Sequence, residues 1–140
     1  MNNAQQNAEH WAQDLCALHQ AHQKLLSGDE SAIAEGTEYH SADEVVDAAM
    51  ETPLSVEVSA GYYAPGTEPK PNRFQVLLST GGPALRIAGD LNDWLEPSGD
   101  IRFQIQDWLT PWEDYTPESV GRSALADALA WFCSCFWFGE

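Results

Sequence analysis

FQVLLSTGGPALRIAGDLNDWLEPSGDIRFQIQ, residues 74–106, holds three short segments in which apolar and polar side chains alternate. Phe74, Val76 and Leu78 share one face of the first. Leu85 and Ile87 share one face of the second, and Ile101, Phe103 and Ile105 one face of the third. A period of two is the signature of a strand with one buried side. Gly81-Gly82-Pro83 predicts a turn between the first two, and the polar stretch 90–99, with Trp94 inside it, connects the second pair. Connections this short join antiparallel neighbours, because parallel strands need a long crossover. Upstream, residues 54–59 (LSVEVS) alternate in the same way. They are separated from Phe74 by a loop, residues 61–72, rich in Pro and Gly. The expectation is a four-stranded antiparallel meander.

On either side of this block the apolar period lengthens to that of a helix. In residues 3–26, Trp11, Leu15, Leu18, His22 and Leu25 recur at steps of four and three, and Ser27-Gly28 ends the run. A short helical turn is expected at residues 31–35. Residues 42–51 form a second helix. Ser41 and Glu44 have capping-box spacing, Ala42, Val45, Val46 and Ala49 face inward, and Pro53 closes the element. At the other end, Thr116-Pro117 predicts the start of a last helix, with Leu125, Leu129, Phe132, Cys133 and Phe136 as its buried stripe. The order α-α-β-β-β-β-α predicts an α+β fold with the helices packed on one face of the sheet. Residues 1–140 form a single domain, with an acidic helical part (1–52) and a sheet plus C-terminal helix (53–140).

The charge is lopsided: 22 acidic against 6 basic residues, a net charge of −16. No Lys or Arg occurs between Lys24 and Lys70, and every Arg lies at position 73 or later. Such a field repels nucleic acid and anionic membrane and favours basic protein surfaces. With 44% hydrophobic residues and six Trp, the chain is no disordered acidic tail. Three cysteines without framework spacing suit a reducing compartment, and the N-terminus lacks a signal peptide, so a cytoplasmic setting is expected. No apolar run is long enough for a membrane span.

Acidic side chains are the first site candidates. Glu38, Asp43, Glu44, Asp47, Glu51 and Glu57 are expected to meet a partner; the other outcome is a solvated, solubilising face. Asp107, Trp108, Trp112 and Glu113 form a second candidate, either a binding loop with an acid and a base or aromatic packing between the sheet and the last helix. Trp131, Trp137 and Phe138 belong to an aromatic C-terminus too extensive for one buried face and are expected at a self-association surface such as that of a homodimer. His19 and His22, or Cys133 and Cys135, lack the companions of a metal site. No metal, cofactor or catalytic residue is assigned.

The strings PLSVEV (53–58), LLSTGGPA (77–84), QDWLTPWEDY (106–115) and FWFGE (136–140) resemble an uncharacterised family of small acidic proteins from phages and mobile elements of proteobacteria. The resemblance covers residues 53–140 and brings no catalytic residues. It implies an anti-CRISPR or antirestriction type of activity in a bacterial host cell. The function expected is therefore a non-enzymatic acidic inhibitor that binds a nucleic-acid-handling defence protein by imitating DNA. The alternatives are a small enzyme or ligand-binding domain at residues 107–115, and a regulatory dimer.

Overall fold

The computed structural model describes residues 2–27, 39–80, 83–107 and 110–139. The helical turn expected at 31–35, Glu38, the Gly81-Gly82 turn and Trp108 lie outside the described residues. Helix α1 is Asn3–Leu26 and helix α2 is Ala42–Glu51. Strands β1 (Ser55–Ser59), β2 (Arg73–Ser79), β3 (Ala84–Leu91), β4 (Pro97–Gln106) and β5 (Glu113–Asp114) follow, then helix α3 (Arg122–Ser134). All neighbours in the sheet are antiparallel, in the order β1-β2-β3-β4-β5.

The sheet has five strands where four were expected. The fifth pairs only Glu113 with Ile105 and Asp114 with Gln104. Two exposed acidic residues carry no alternation, so nothing local marks them as a strand. Strand β4 also begins earlier than the alternation does, because Pro97 and Ser98 pair with Leu91 and Asp90. The connection shrinks to a tight turn organised by Asn92. Its Oδ1 accepts the N–H groups of Trp94 at 2.9 Å and Glu96 at 3.1 Å. Leu95 sits there at φ 62°, a left-handed conformation that costs a branched residue about 1–2 kcal/mol.

The register lines up Val56, Val76, Ile87 and Phe103 on one face of the sheet. Helices α1 and α3 pack against that inner face, and α2 packs against α1. Of the five α1 residues expected to form the stripe, only Leu15 is fully buried. The contact is made by Ala4, Ala8 and Ala12, four residues apart. Alanines add little to a hydrophobic pattern but let a helix approach closely, so large side chains gave a shifted stripe. In α2, Val45 and Ala49 are buried as expected.

The aromatic C-terminus folds back into the core. Phe138 is only 4% exposed and lies against Phe74, with ring centroids 4.7 Å apart. Its expected place on a self-association surface is thereby corrected. Gly89 makes room for Phe74: a Cβ there would stand 2.8 Å from the ring. Trp131, expected on the same surface, is half-buried against α1. It stacks on His19 with centroids 5.5 Å apart and leans on His22 at 5.2 Å. Trp137 remains largely exposed.

Helix α3 starts at Arg122 rather than just after Thr116, and the cause is Glu9 on α1. Its buried carboxylate accepts the backbone N–H of Glu118 at 3.0 Å and of Ser119 at 2.8 Å, and the Tyr115 hydroxyl donates to it. Those amides serve α1, and helix formation waits for Gly121. Desolvation pushes the Glu9 pKa up, but hydrogen bonds from Ser119, Tyr115 and the two amides outweigh it and bring it from 4.5 to about 2. Burial, then the bond to Glu9 and the charges of Glu9 and Glu118, push Tyr115 up to about 12.

Two predictions follow from this packing. Phe138→Ala should destabilise the protein by about 3–5 kcal/mol, measured by urea unfolding, because the ring fills space beside Phe74. For Glu9, the folded pKa lies below the unfolded one. Its contribution is therefore complete above about pH 4.5 and is lost as pH falls toward about 2. Glu9→Gln should flatten the stability profile over that window, whereas Glu9→Ala should cost about 1–3 kcal/mol at neutral pH.

Candidate functional site

Two surfaces stand out. The first is the solvent side of α2. Asp43, Glu44, Asp47 and Glu51 are all exposed on this one helix, which carries no basic residue. Ser41 caps it by accepting the Glu44 N–H at 3.3 Å, while the Glu44 carboxylate accepts the His40 N–H at 2.7 Å. Asp43, Asp47 and Glu51 form no ion pair or side-chain hydrogen bond among the described residues. Glu57 does not join them. It sits on β1 across from Gln75, on the outer face of the sheet, away from the helices.

That outer face is the second surface. Ser55, Leu77, Arg86, Gln104 and Asp114 share one row across it, and Glu57, Gln75, Ala88 and Arg102 share the next. Hydrogen bonds join the two rows into a ladder over all five strands. Gln75 Nε2 donates to Glu57 at 3.2 Å. Arg86 Nη1 donates to Gln75 Oε1 and its Nε to Gln104 Oε1, both at 2.8 Å. Gln104 Nε2 donates to Asp114 at 2.9 Å. One guanidinium thus reaches two carboxylates through two neutral amides, and each amide is turned by the charge on either side. Arg86 also lies over Trp112, 4.5 Å from the ring centroid, a contact worth about 0.5–2 kcal/mol.

Trp112 packs on the outer face against Arg86, not between the sheet and α3. Asp107 is exposed in a turn closed by Thr110, whose Oγ1 accepts the Asp107 N–H at 3.0 Å. Glu113 is exposed on the edge strand, and neither carboxylate lines either of two cavities found among the described residues. The second of these cavities, about 310 Å³, lies between β4 and α3.

The cysteines are free. Burial pushes Cys133 up to about 12 and Cys135 to about 11, so both are thiols near neutrality and weak nucleophiles. Among the described residues no three His, Cys, Asp or Glu side chains are grouped to hold a metal ion. None of their helices is long and apolar enough to cross a membrane.

The sequence reasoning missed Glu9, Gln75, Arg86 and Gln104. A signal for the last three existed: each is a polar residue between apolar ones in a strand, and so points away from the core. No protein-family model matches the chain, and no curated protein and no solved structure is significantly similar to it.

The ladder makes a testable demand. Gln104 is 8% exposed and joins Arg86 to Asp114. Gln104→Leu should therefore lower stability by about 1–3 kcal/mol, since it removes acceptor and donor at once while leaving their partners in place. Chemical denaturation of the variant, with the Arg86→Met/Gln104→Leu double variant recovering part of the loss, measures this.

Proposed function

We propose that the protein is a non-enzymatic acidic interaction protein of a phage or mobile element. In this reading α2 presents carboxylates to the basic, nucleic-acid-binding surface of a host defence protein, as anti-CRISPR and antirestriction proteins of the DNA-mimic type do. The observation that carries the proposal is the exposed set Asp43, Glu44, Asp47 and Glu51 on a helix without any cation. Val45 and Ala49, both 0% exposed, fix the helix on the side away from these charges, so the carboxylates stand on a supported scaffold.

Charge geometry favours such a role. Carboxylates one helical turn apart are spaced by about 5.4 Å. Duplex DNA offers one charge per about 1.7 Å of axis. One helix alone is too sparse to match that field, but a net charge of −16 adds further carboxylates around it. A basic channel would exchange its counterions for this surface. Burial pushes all three thiols up, away from the ionised form a cysteine nucleophile needs, which supports a binding role over thiol catalysis.

The test is protection of an invading phage or plasmid in a host with an active restriction or CRISPR system. Expression should raise survival of the invader, and pull-down of the target should weaken steeply between low and high salt. Reversing Asp43, Glu44, Asp47 and Glu51 to Lys should abolish both effects without changing the thermal midpoint by more than a few degrees. Full protection by the charge-reversed protein would overturn the proposal.

A further inference from the structure

The outer face of the sheet concentrates cations in a protein that has few. Of six Lys and Arg in the chain, Arg73, Arg86 and Arg102 all stand on this face. Together with Gln75, Glu57 and Asp90 they line a concavity of about 320 Å³. With 22 carboxylates available, each guanidinium would be expected to hold an acidic partner. Among the described residues none of the three forms an ion pair.

Each arginine is left with donors to spare. Among the described residues the Arg102 guanidinium has no hydrogen-bond partner. Among the described residues the Arg73 guanidinium reaches only the Ser59 hydroxyl, through Nη2 at 3.4 Å. Asp90 is its partner in the strand register yet does not pair with it. Arg86 spends Nε and Nη1 on the two glutamine oxygens and rests its plane on Trp112. Glu57 is already engaged by Gln75 and Ser55. Burial, and then the charge of Arg102, act against the Arg86 cation. Three guanidinium groups thus share the concavity with two carboxylates, Glu57 and Asp90, neither of which forms an ion pair with them among the described residues, which leaves an excess of positive charge there.

We propose that this concavity binds a small molecule carrying a multivalent oxyanion, a phosphate ester or a polycarboxylate. Guanidinium groups match such oxyanions with paired, charge-assisted hydrogen bonds. The glutamines hold Arg86 in one orientation, so little freedom is lost on binding. The volume lies at the small end of ligand sites, about 300–1,000 Å³, and suits a ligand no larger than a mononucleotide. A long nucleic acid does not fit the charge pattern. It would run from the arginines onto the acidic remainder of the surface, whereas a small anion stays inside a local field that outlasts the screened repulsion beyond about 8 Å. The site lies away from the carboxylates of α2, and its existence does not depend on the function proposed for them.

The test titrates the full chain with inorganic phosphate, a nucleoside monophosphate, citrate and a short DNA duplex at constant ionic strength. Nitrogen-edited NMR follows the Arg86 Nε and Trp112 indole signals. Saturable shifts of both with at least one small anion are expected, and the tighter of phosphate and citrate identifies the ligand class. Arg102→Gln and Arg73→Gln should each weaken binding about tenfold, the loss of one charge-assisted contact. Thermal stability should hold or rise in Arg102→Gln, because that side chain supports nothing else. The α2 charge reversal should leave this binding within about twofold of the wild type, which separates the two proposals. Absence of saturable shifts with every small anion at millimolar concentration would overturn the inference. So would undiminished affinity in both arginine variants, or tighter binding of the duplex than of the small anions.

Discussion

The Glu9 carboxylate is the contact on which the helical layer depends. It sits on α1 and gathers the Tyr115 hydroxyl and the amides of Glu118 and Ser119, which are 109 and 110 residues away in sequence. A buried carboxylate is tolerable only where such donors surround it. Here the donors come from the segment between β5 and α3, so satisfying the charge fixes where the chain leaves the sheet. Helix α3 then descends beside α1, which places Phe132 in the core and brings Phe138 against Phe74. Because Tyr115 is pushed up as Glu9 is pulled down, the folded protein keeps a Glu9 carboxylate accepting from a protonated Tyr115 hydroxyl between about pH 2 and about pH 12.

The sheet answers a different problem on its other side. Its inner face is covered by helices, and its outer face meets no helix among the described residues. Bare apolar strands would invite aggregation there. The ladder from Glu57 to Asp114 fills that face with polar groups that satisfy one another, crossing every strand and placing a single cation at the centre. Gln75 and Gln104 suit the relay because an amide accepts at one atom and donates at the other. Glutamate at either position would pair with Arg86 but repel Glu57 or Asp114 beyond it.

Much of this architecture was legible in the chain. Alternation at Phe74–Leu78, Leu85–Ile87 and Ile101–Ile105 located three strands and their antiparallel order, and the Ser41 cap located α2. The failures share one cause: a distant group outweighed a local signal. Thr116-Pro117 has the composition of a helix start, but Glu9 claims the amides that would follow. Glu113 and Asp114 join the sheet through Gln104, not through a pattern of their own. The alanines of α1 outweighed its larger side chains because close approach to the sheet favours small ones. For the candidate sites, local composition showed the carboxylates of α2. It could not show that Glu57 belongs to another face, because that depends on which side of β1 meets the helices.

Charge separation follows from the same geometry. A total of −16 describes the chain but no single surface of it. Carboxylates project from α2, which the inner layer carries, while half of the cations project from the opposite side of the sheet. Pairing these groups with one another would have required the arginines to lie among the helices, where burial would strip their hydration. The strand period forbids it. Arg86 precedes Ile87 and Arg102 precedes Phe103, so each guanidinium is forced outward whenever its apolar neighbour is forced in. The core thus dictates the position of the charges: burying Ile87 and Phe103 assembles the arginine face, and the carboxylates that share it, Glu57, Asp90 and Asp114, form no direct ion pair with the arginines among the described residues.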